Sequence, residues 1–370
     1  MAKKNAGLPE PELSQPHRAG GTQAIPGGRI TYLAPLPLLT GQPPLDMSKA
    51  VSELNDTWLD FGGGGPSVSI WQLITGTLCA FLLLCALVFP ALILLLMPSI
   101  SPENFISLYK IFLWLGVIGG AAGLLIMCLG YYSGMKNLKR SIPIRFNRQR
   151  REVCFTLTDT QETVYVPWES LMAWVVEARG ATQYGVQQQY GMGVGYAHPE
   201  TGKWLKLEFM AAGLPLAISN WEAIRAYMEY EVHSLHEIQD PHLPRGKDDP
   251  PWEGVHTLRN ARRRMRERRA KGEVGPVFTF FWYAYHVIEL WNLPGYLTEW
   301  EAKRLMKSRP KLRPAEVEEW SKPLPREQWA KPREELVRLS AEVRRLREEN
   351  PHRSIDQIFG EAYRRQGVVA

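Results

Sequence analysis

Two runs without a single charged residue dominate the hydropathy pattern, Ser67–Met97 and Ile111–Met135. About 20 apolar residues cross the hydrocarbon core of a bilayer, and each run exceeds that length. The pattern therefore predicts a transmembrane hairpin over 67–135, with helices at about 67–97 and 111–135. On the second run Gly116, Gly119, Gly120 and Gly123 recur at i, i+3, i+4 and i+7. Such a small-residue face admits another helix closely; the first helix is the simplest occupant and a second copy of the chain the alternative. Trp71, Tyr131 and Tyr132 fall near the helix ends, where interfacial aromatics anchor a span.

Beyond the hairpin the period changes to two. Ile144 and Phe146 alternate, as do Val153 and Phe155, with NRQRR between them, so a hairpin with a cationic tip is expected. TVYVPW, MAWVVEA, QQQYGMGVGYAH and KWLKLEFM follow, parted by the turn signals ARGAT and PETGK. A helix comes next, with Asn220 as its cap, Trp221, Ile224, Tyr227 and Met228 as its buried stripe, and Glu222 with Arg225 toward solvent. Residues 142–233 thus read as a small antiparallel β-domain of the pleckstrin-homology-like type, closed by a C-terminal helix.

Residues 252–370 read as a helical region. HTLRNARRRMRERRAKG is a basic helix, and VGPVFTFFWYAYHVIELWNLPGYLTEW is dense in aromatics. His286 and Glu289 inside the second stretch, and Pro294–Gly295 after them, favour a helix packed on protein or lying at headgroup depth over a third span. Leu336, Leu339, Val343 and Leu346 form one apolar face, and Ser354 with Gln357 reads as a capping box. Residues 1–66, rich in Pro and Gly, are expected to be an extended or disordered tail with a short helix near 48–59. The fold class predicted is a membrane α-helical hairpin plus an α+β cytoplasmic region.

Charge sets the expected topology. The net charge is +6, and seven Lys or Arg stand in Lys136–Phe155 before the first acid, Glu152, whereas the loop at 98–110 carries only Glu103 and Lys110. The positive-inside rule then makes both termini cytoplasmic, in a multi-pass protein of a bacterial inner membrane. Lys136, Lys139 and Arg140 read as the stop that fixes the second helix. Arg148, Arg150 and Arg151, with Arg262, Arg263, Arg266 and Arg269, are candidates for contact with lipid or a protein partner. The first apolar run lies too far along for a secretory signal, so none is expected.

Catalytic chemistry is sought without result. The four cysteines form no CxxC pair, and His233 and His236 have no third ligand nearby, so no metal is expected. Gly191, Gly193 and Gly195 lack the following helix of a nucleotide loop and read as a glycine-punctuated strand. No catalytic residue and no cofactor are assigned, and a non-enzymatic protein is expected. Nucleic acid is disfavoured as a partner, because no reading module accompanies the basic helix.

The stretches IPIRFNRQRREVCF, VYVPWESLMAWV and NWEAIRAYMEYE, preceded by two membrane helices, resemble a family of proteobacterial membrane proteins associated with type VI secretion toxin loci. The resemblance covers residues 67–300 and rests mostly on RFNRQRREV and PWE. It implies an inner-membrane immunity or accessory protein that binds a cognate toxin. Two other readings stay open: a membrane-inserting, pore-forming toxin, and a membrane scaffold that binds anionic lipid.

Overall fold

The computed structural model describes residues 8–12, 17–62, 64–157, 162–182, 185–198, 202–241, 245–246, 248–308 and 313–367. It is an α+β fold with two antiparallel five-stranded sheets and two long apolar helices, divided into two units.

The first unit comprises Met1–Gly64, Ile142–His242 and Arg313–Ala370. One sheet has the order β1 (Thr22–Ile25), β2 (Gly28–Ala34), β8 (Met172–Thr182), β9 (Gly185–Ala197), β10 (Trp204–Ala211). The other runs β3 (Val51–Leu54), β4 (Trp58–Phe61), β5 (Ile144–Asn147), β6 (Glu152–Thr156), β7 (Thr163–Pro167). Both sheets turn apolar side chains onto one core, which helix α4 (Leu214–Met228) closes with Trp221, Ile224 and Tyr227. The antiparallel strands and the helix after β10 match expectation.

The N-terminal segment does not. Its described residues supply four strands and no helix, and Ile30, Leu33, Leu59 and Phe61 are fully buried. Proline and glycine here punctuate short strands: Gly27, at φ +77°, forms the β1–β2 turn. The partners of those strands lie far off in sequence, β2 on β8 and β4 on β5. Pairing at such range leaves no local periodicity to read. The helix α4 also begins earlier than expected. Asn220 sits mid-helix and accepts hydrogen bonds from the backbone and hydroxyl of Ser48, while Glu222 and Arg225 are buried as an ion pair rather than solvated.

Alternate glycines of β9 make room for large side chains on its outer face. A Cβ on Gly193 would lie 2.2 Å from the ring of Trp174, and one on Gly195 2.7 Å from Trp204, which stacks on Trp174. The YGMGVGY run is thus an indole seat. The C-terminal helices α9 (Glu334–Glu349) and α10 (Ile355–Arg365) bury Leu336, Leu339, Val343 and Leu346 against Leu38, Phe359 and Tyr363, as their spacing predicts. Ser354 stands at the start of α10 but makes no side-chain cap bond.

The second unit comprises Gly65–Ser141 and Leu243–Leu312. Its first apolar helix runs from Val68 to Leu96 as α1 (Val68–Leu83), a π turn at Leu84–Val88, and α2 (Phe89–Leu96). The wide turn precedes Pro90, whose ring would otherwise press on the carbonyl four residues back. Helix α3 (Pro102–Arg140) returns alongside it. Gly116 faces Cys85, Gly119 faces Phe81, and Gly120 faces Leu78 and Leu82, so the glycine face seats the first helix within one chain. Three further helices follow among the described residues: α5 (Val255–Ala270), α6 (Pro276–Ile288) and α7 (Leu293–Ser308).

Candidate membrane-facing and partner-binding sites

The RFNRQRREV and PWE stretches meet in the interior of the first unit. Residues 148–151 form the β5–β6 turn, in which the Asn147 Oδ1 accepts from the backbone N–H groups of Gln149 and Arg150. This local Asx geometry folds the tip back, and Arg151 takes a left-handed φ of +51°. Arg151 then reaches Glu169 of PWE at 3.0 Å and Glu229 at 2.8 Å, and Trp168 donates to the same Glu229 at 3.0 Å. Trp168 stacks on Trp221, fully buried.

Arg148 is 2% exposed, held between the rings of Tyr227 and Tyr230 and bonded to Asp56 and the carbonyl of Val232. Arg150 is half-buried, its Nε donating to the carbonyl of Trp320. The expectation that Arg148 and Arg151 face lipid or a partner is therefore corrected. The segment after α8 (Ala315–Trp320) covers the cationic tip: Leu324 and Ala330 bond to Gln149, and the Arg333 N–H donates to Glu169. Charges that read as a surface patch serve as internal ties, because each guanidinium finds carboxylates or carbonyls contributed from distant segments. A groove of about 510 Å³ lies beside Arg150 and Trp320.

No reactive thiol arises here. Burial pushes the Cys154 thiol up to about 12, so it stays protonated at neutral pH. Among the described residues no group of three His, Cys, Asp or Glu is placed to hold a metal ion.

In the second unit the exposed arginines are real. Arg259, Arg262, Arg263 and Arg266 recur at i, i+3, i+4 and i+7 along α5 and line a groove of about 470 Å³ with Leu258 and Trp291. Arg259 pairs with Asp249, and the Arg262 guanidinium lies 5.7 Å from the Trp291 ring. Arg262, Arg263, Arg266 and Arg269 have no ion pair among the described residues.

Trp71 and Tyr131 sit edge to face at 4.9 Å, and both donate to the carboxylate of Glu301 on α7. They tie the two apolar helices to α7. Tyr132 and Lys136 are exposed. The side chains of Lys139 and Arg140 lie outside the described residues.

Helices α6 and α7, both packed on α1, have inverted polarity. Thr279, His286, Glu289, Thr298 and Glu301 are buried, while Val277, Phe280 and Phe281 are 68%, 67% and 64% exposed. The buried acids bond to the first apolar helix: Gln72 donates to Glu289 at 2.8 Å, and Thr75 donates to the Glu289 carbonyl. Gly76 leaves room for the Glu289 stem. The structure gives α6 only 13 residues. That is about 20 Å of helix, short of the roughly 30 Å hydrocarbon core. The turn to α7 is sharp, with Leu290 and Trp291 both at positive φ. A signal for this arrangement lay in the sequence: Thr279, His286 and Glu289 recur at i, i+7 and i+10, a polar stripe within an aromatic run.

Set beside protein-family profiles, curated proteins and solved structures, the chain matches none of them.

Proposed function

We propose that this chain is a non-enzymatic, membrane-anchored binding protein whose α+β unit works at the cytoplasmic face of a bacterial inner membrane. One observation carries the reading. Two helices of 29 and 35 residues, long and apolar enough to span a bilayer, occupy the connection between β4 and β5, which are paired neighbours in one sheet. Both ends of that connection are fixed to the same unit, so an even number of crossings is required and the N- and C-terminal parts share one side. The arginines of α5, with Lys136, favour the cytoplasm for that side.

The sheets and α4 support a pleckstrin-homology-like description, in which an antiparallel β-core is closed by one helix. The scaffold offers surfaces for binding. On the resemblance carried by RFNRQRREV and PWE, the proposed ligand is a toxin of a type VI secretion system, with this chain as its immunity or accessory protein.

Co-expression of the full chain with the toxin encoded beside it is the test. Protection of the cells together with co-purification is expected, and the absence of both overturns the reading. A collapse of membrane potential on expression of the full chain alone would replace it with a membrane-inserting toxin.

A further inference from the structure

We infer that α5, α6 and α7 form a lipid-binding module: the outer face of α6–α7 lies in the hydrocarbon edge of one leaflet, and the arginine row of α5 ligates the phosphates of anionic phospholipids. The inference rests on the reading that Val68–Leu96 spans the membrane.

Depth is fixed by hydrogen bonds to that helix. Glu253, two residues before α5, accepts from the Val68 N–H at 2.7 Å and from the Ser67 hydroxyl at 3.0 Å. A carboxylate at this position meets the positive end of the helix and satisfies donors the first turn leaves open. The start of α5 is thereby held at the level where the apolar helix begins, which is the headgroup level if that helix spans. Farther in, α6 and α7 touch α1 at Trp71, Gln72, Thr75 and Gly76. Residue 76 lies eight positions beyond Val68, and at 1.5 Å per residue this is about 12 Å, within the roughly 15 Å of a single leaflet.

The polarity of α6 and α7 agrees with this depth. In water, a helix pair that buries Glu289, Glu301 and His286 and exposes Val277, Phe280 and Phe281 has its faces the wrong way round. In a leaflet the order is correct: the acids are satisfied by Gln72, Trp71 and Tyr131, and the apolar face meets acyl chains. Tyr296 and Trp300 on α7 stand exposed, with Arg304 over the Trp300 ring at 5.5 Å, an arrangement suited to the boundary between chains and headgroups. At headgroup level Arg262, Arg263 and Arg266 have no carboxylate partner among the described residues, and the two free oxygens of a phosphate diester can accept from the guanidinium fork.

The test uses the full chain reconstituted in vesicles of phosphatidylethanolamine and phosphatidylglycerol. p-Benzoyl-phenylalanine replaces Phe281, Leu125 on α3 or Val337 on α9, one at a time, and mass spectrometry reads phospholipid adducts after illumination. Adducts at positions 125 and 281 and none at 337 are expected. An adduct at 125 without one at 281 overturns this inference alone. No adduct at 125 removes the spanning reading, and this inference with it. The triple variant R262Q/R263Q/R266Q should lower the phosphatidylglycerol share of the adduct at 281 on the order of tenfold. An unchanged share in that variant overturns the role given to the arginines.

Discussion

Arg145 of β5 grips Asp60 of β4 through two parallel N–H···O bonds, Nε to Oδ1 at 2.8 Å and Nη2 to Oδ2 at 2.9 Å, across 85 positions of sequence that include both apolar helices. Arg313 adds a third bond to the same carboxylate at 2.6 Å, and the Arg145 guanidinium lies 3.4 Å from the Trp58 ring centre. All of these groups except the indole are charged, and Arg145 and Asp60 are both almost fully buried. The pair closes the sheet at the place where the chain leaves it and returns.

Removal of that carboxylate leaves two guanidinium groups without their counter-charge. Asp60→Asn should cost about 3–5 kcal/mol, the usual price of breaking a buried pair from one side. Glu177→Gln, which weakens the partly exposed pair with Arg29, should change stability by no more than about 0.5 kcal/mol. Denaturant melts of the solubilised chain check both. Equal effects would mean that the Asp60 cluster contributes nothing beyond surface charge.

Glu231 sets a prediction in pH. Burial alone would push its carboxyl up, but hydrogen bonds and charge from Arg225 and Arg344 outweigh burial and hold it below the ordinary range. The folded chain therefore binds this proton less readily than the unfolded chain. The resulting stability is fully present above the ordinary glutamate value of about 4.3, and is lost as the pH falls below it. Thermal melts between pH about 5 and 3 should steepen in the native chain relative to Glu231→Gln. Parallel curves would refute the assignment.

The sequence announced some of this and concealed the rest, for definable reasons. The apolar helices, their glycine face and the stripe Leu336–Leu346 are legible because helical contacts recur within a few residues. Strands β1 to β4 are not, since Ile30 and Phe61 reveal their burial only through β8 and β5, far along the chain. Arg148 and Arg151 misled for a related reason. Composition reports their charge, but the acceptors that take it, Asp56, Glu169 and Glu229, arrive from three other segments. Glu289 and Glu301 are the reverse case: their spacing with His286 and Thr298 was visible, and the helix they face was not.

The glycine face of α3 separates by position. A Cβ at Gly116 would lie 2.9 Å from the Cβ of Cys85, whereas nothing stands within 4 Å of one at Gly123. Gly116→Leu should therefore force the helices apart at a cost of about 1–3 kcal/mol. Gly123→Leu should be nearly silent. Thermal unfolding in detergent checks the contrast, and a Gly123→Leu loss as large as that at Gly116 would point to a contact with a second copy of the chain.

Arg148 and Arg266 carry the same charge in opposite settings, and their exchange for glutamine should separate scaffold from surface. Arg148 lies between Tyr227 and Tyr230 and donates to Asp56 and to the carbonyl of Val232. The Asp56 carboxylate is itself mostly exposed, so water can replace the lost guanidinium there, while the Val232 carbonyl and the two rings lose their partner in the interior. Charge-assisted hydrogen bonds and the ring contacts together put the loss for Arg148→Gln at about 2–3 kcal/mol. Arg266 is exposed and has no acidic partner among the described residues, so Arg266→Gln should leave the melt within about 0.5 kcal/mol of the native chain. Binding should respond in the opposite sense: Arg266→Gln weakens retention of phosphatidylglycerol during purification, and Arg148→Gln does not. If Arg148→Gln lowers lipid retention while the melt is unchanged, the arginine of the β5–β6 turn is a surface contact after all.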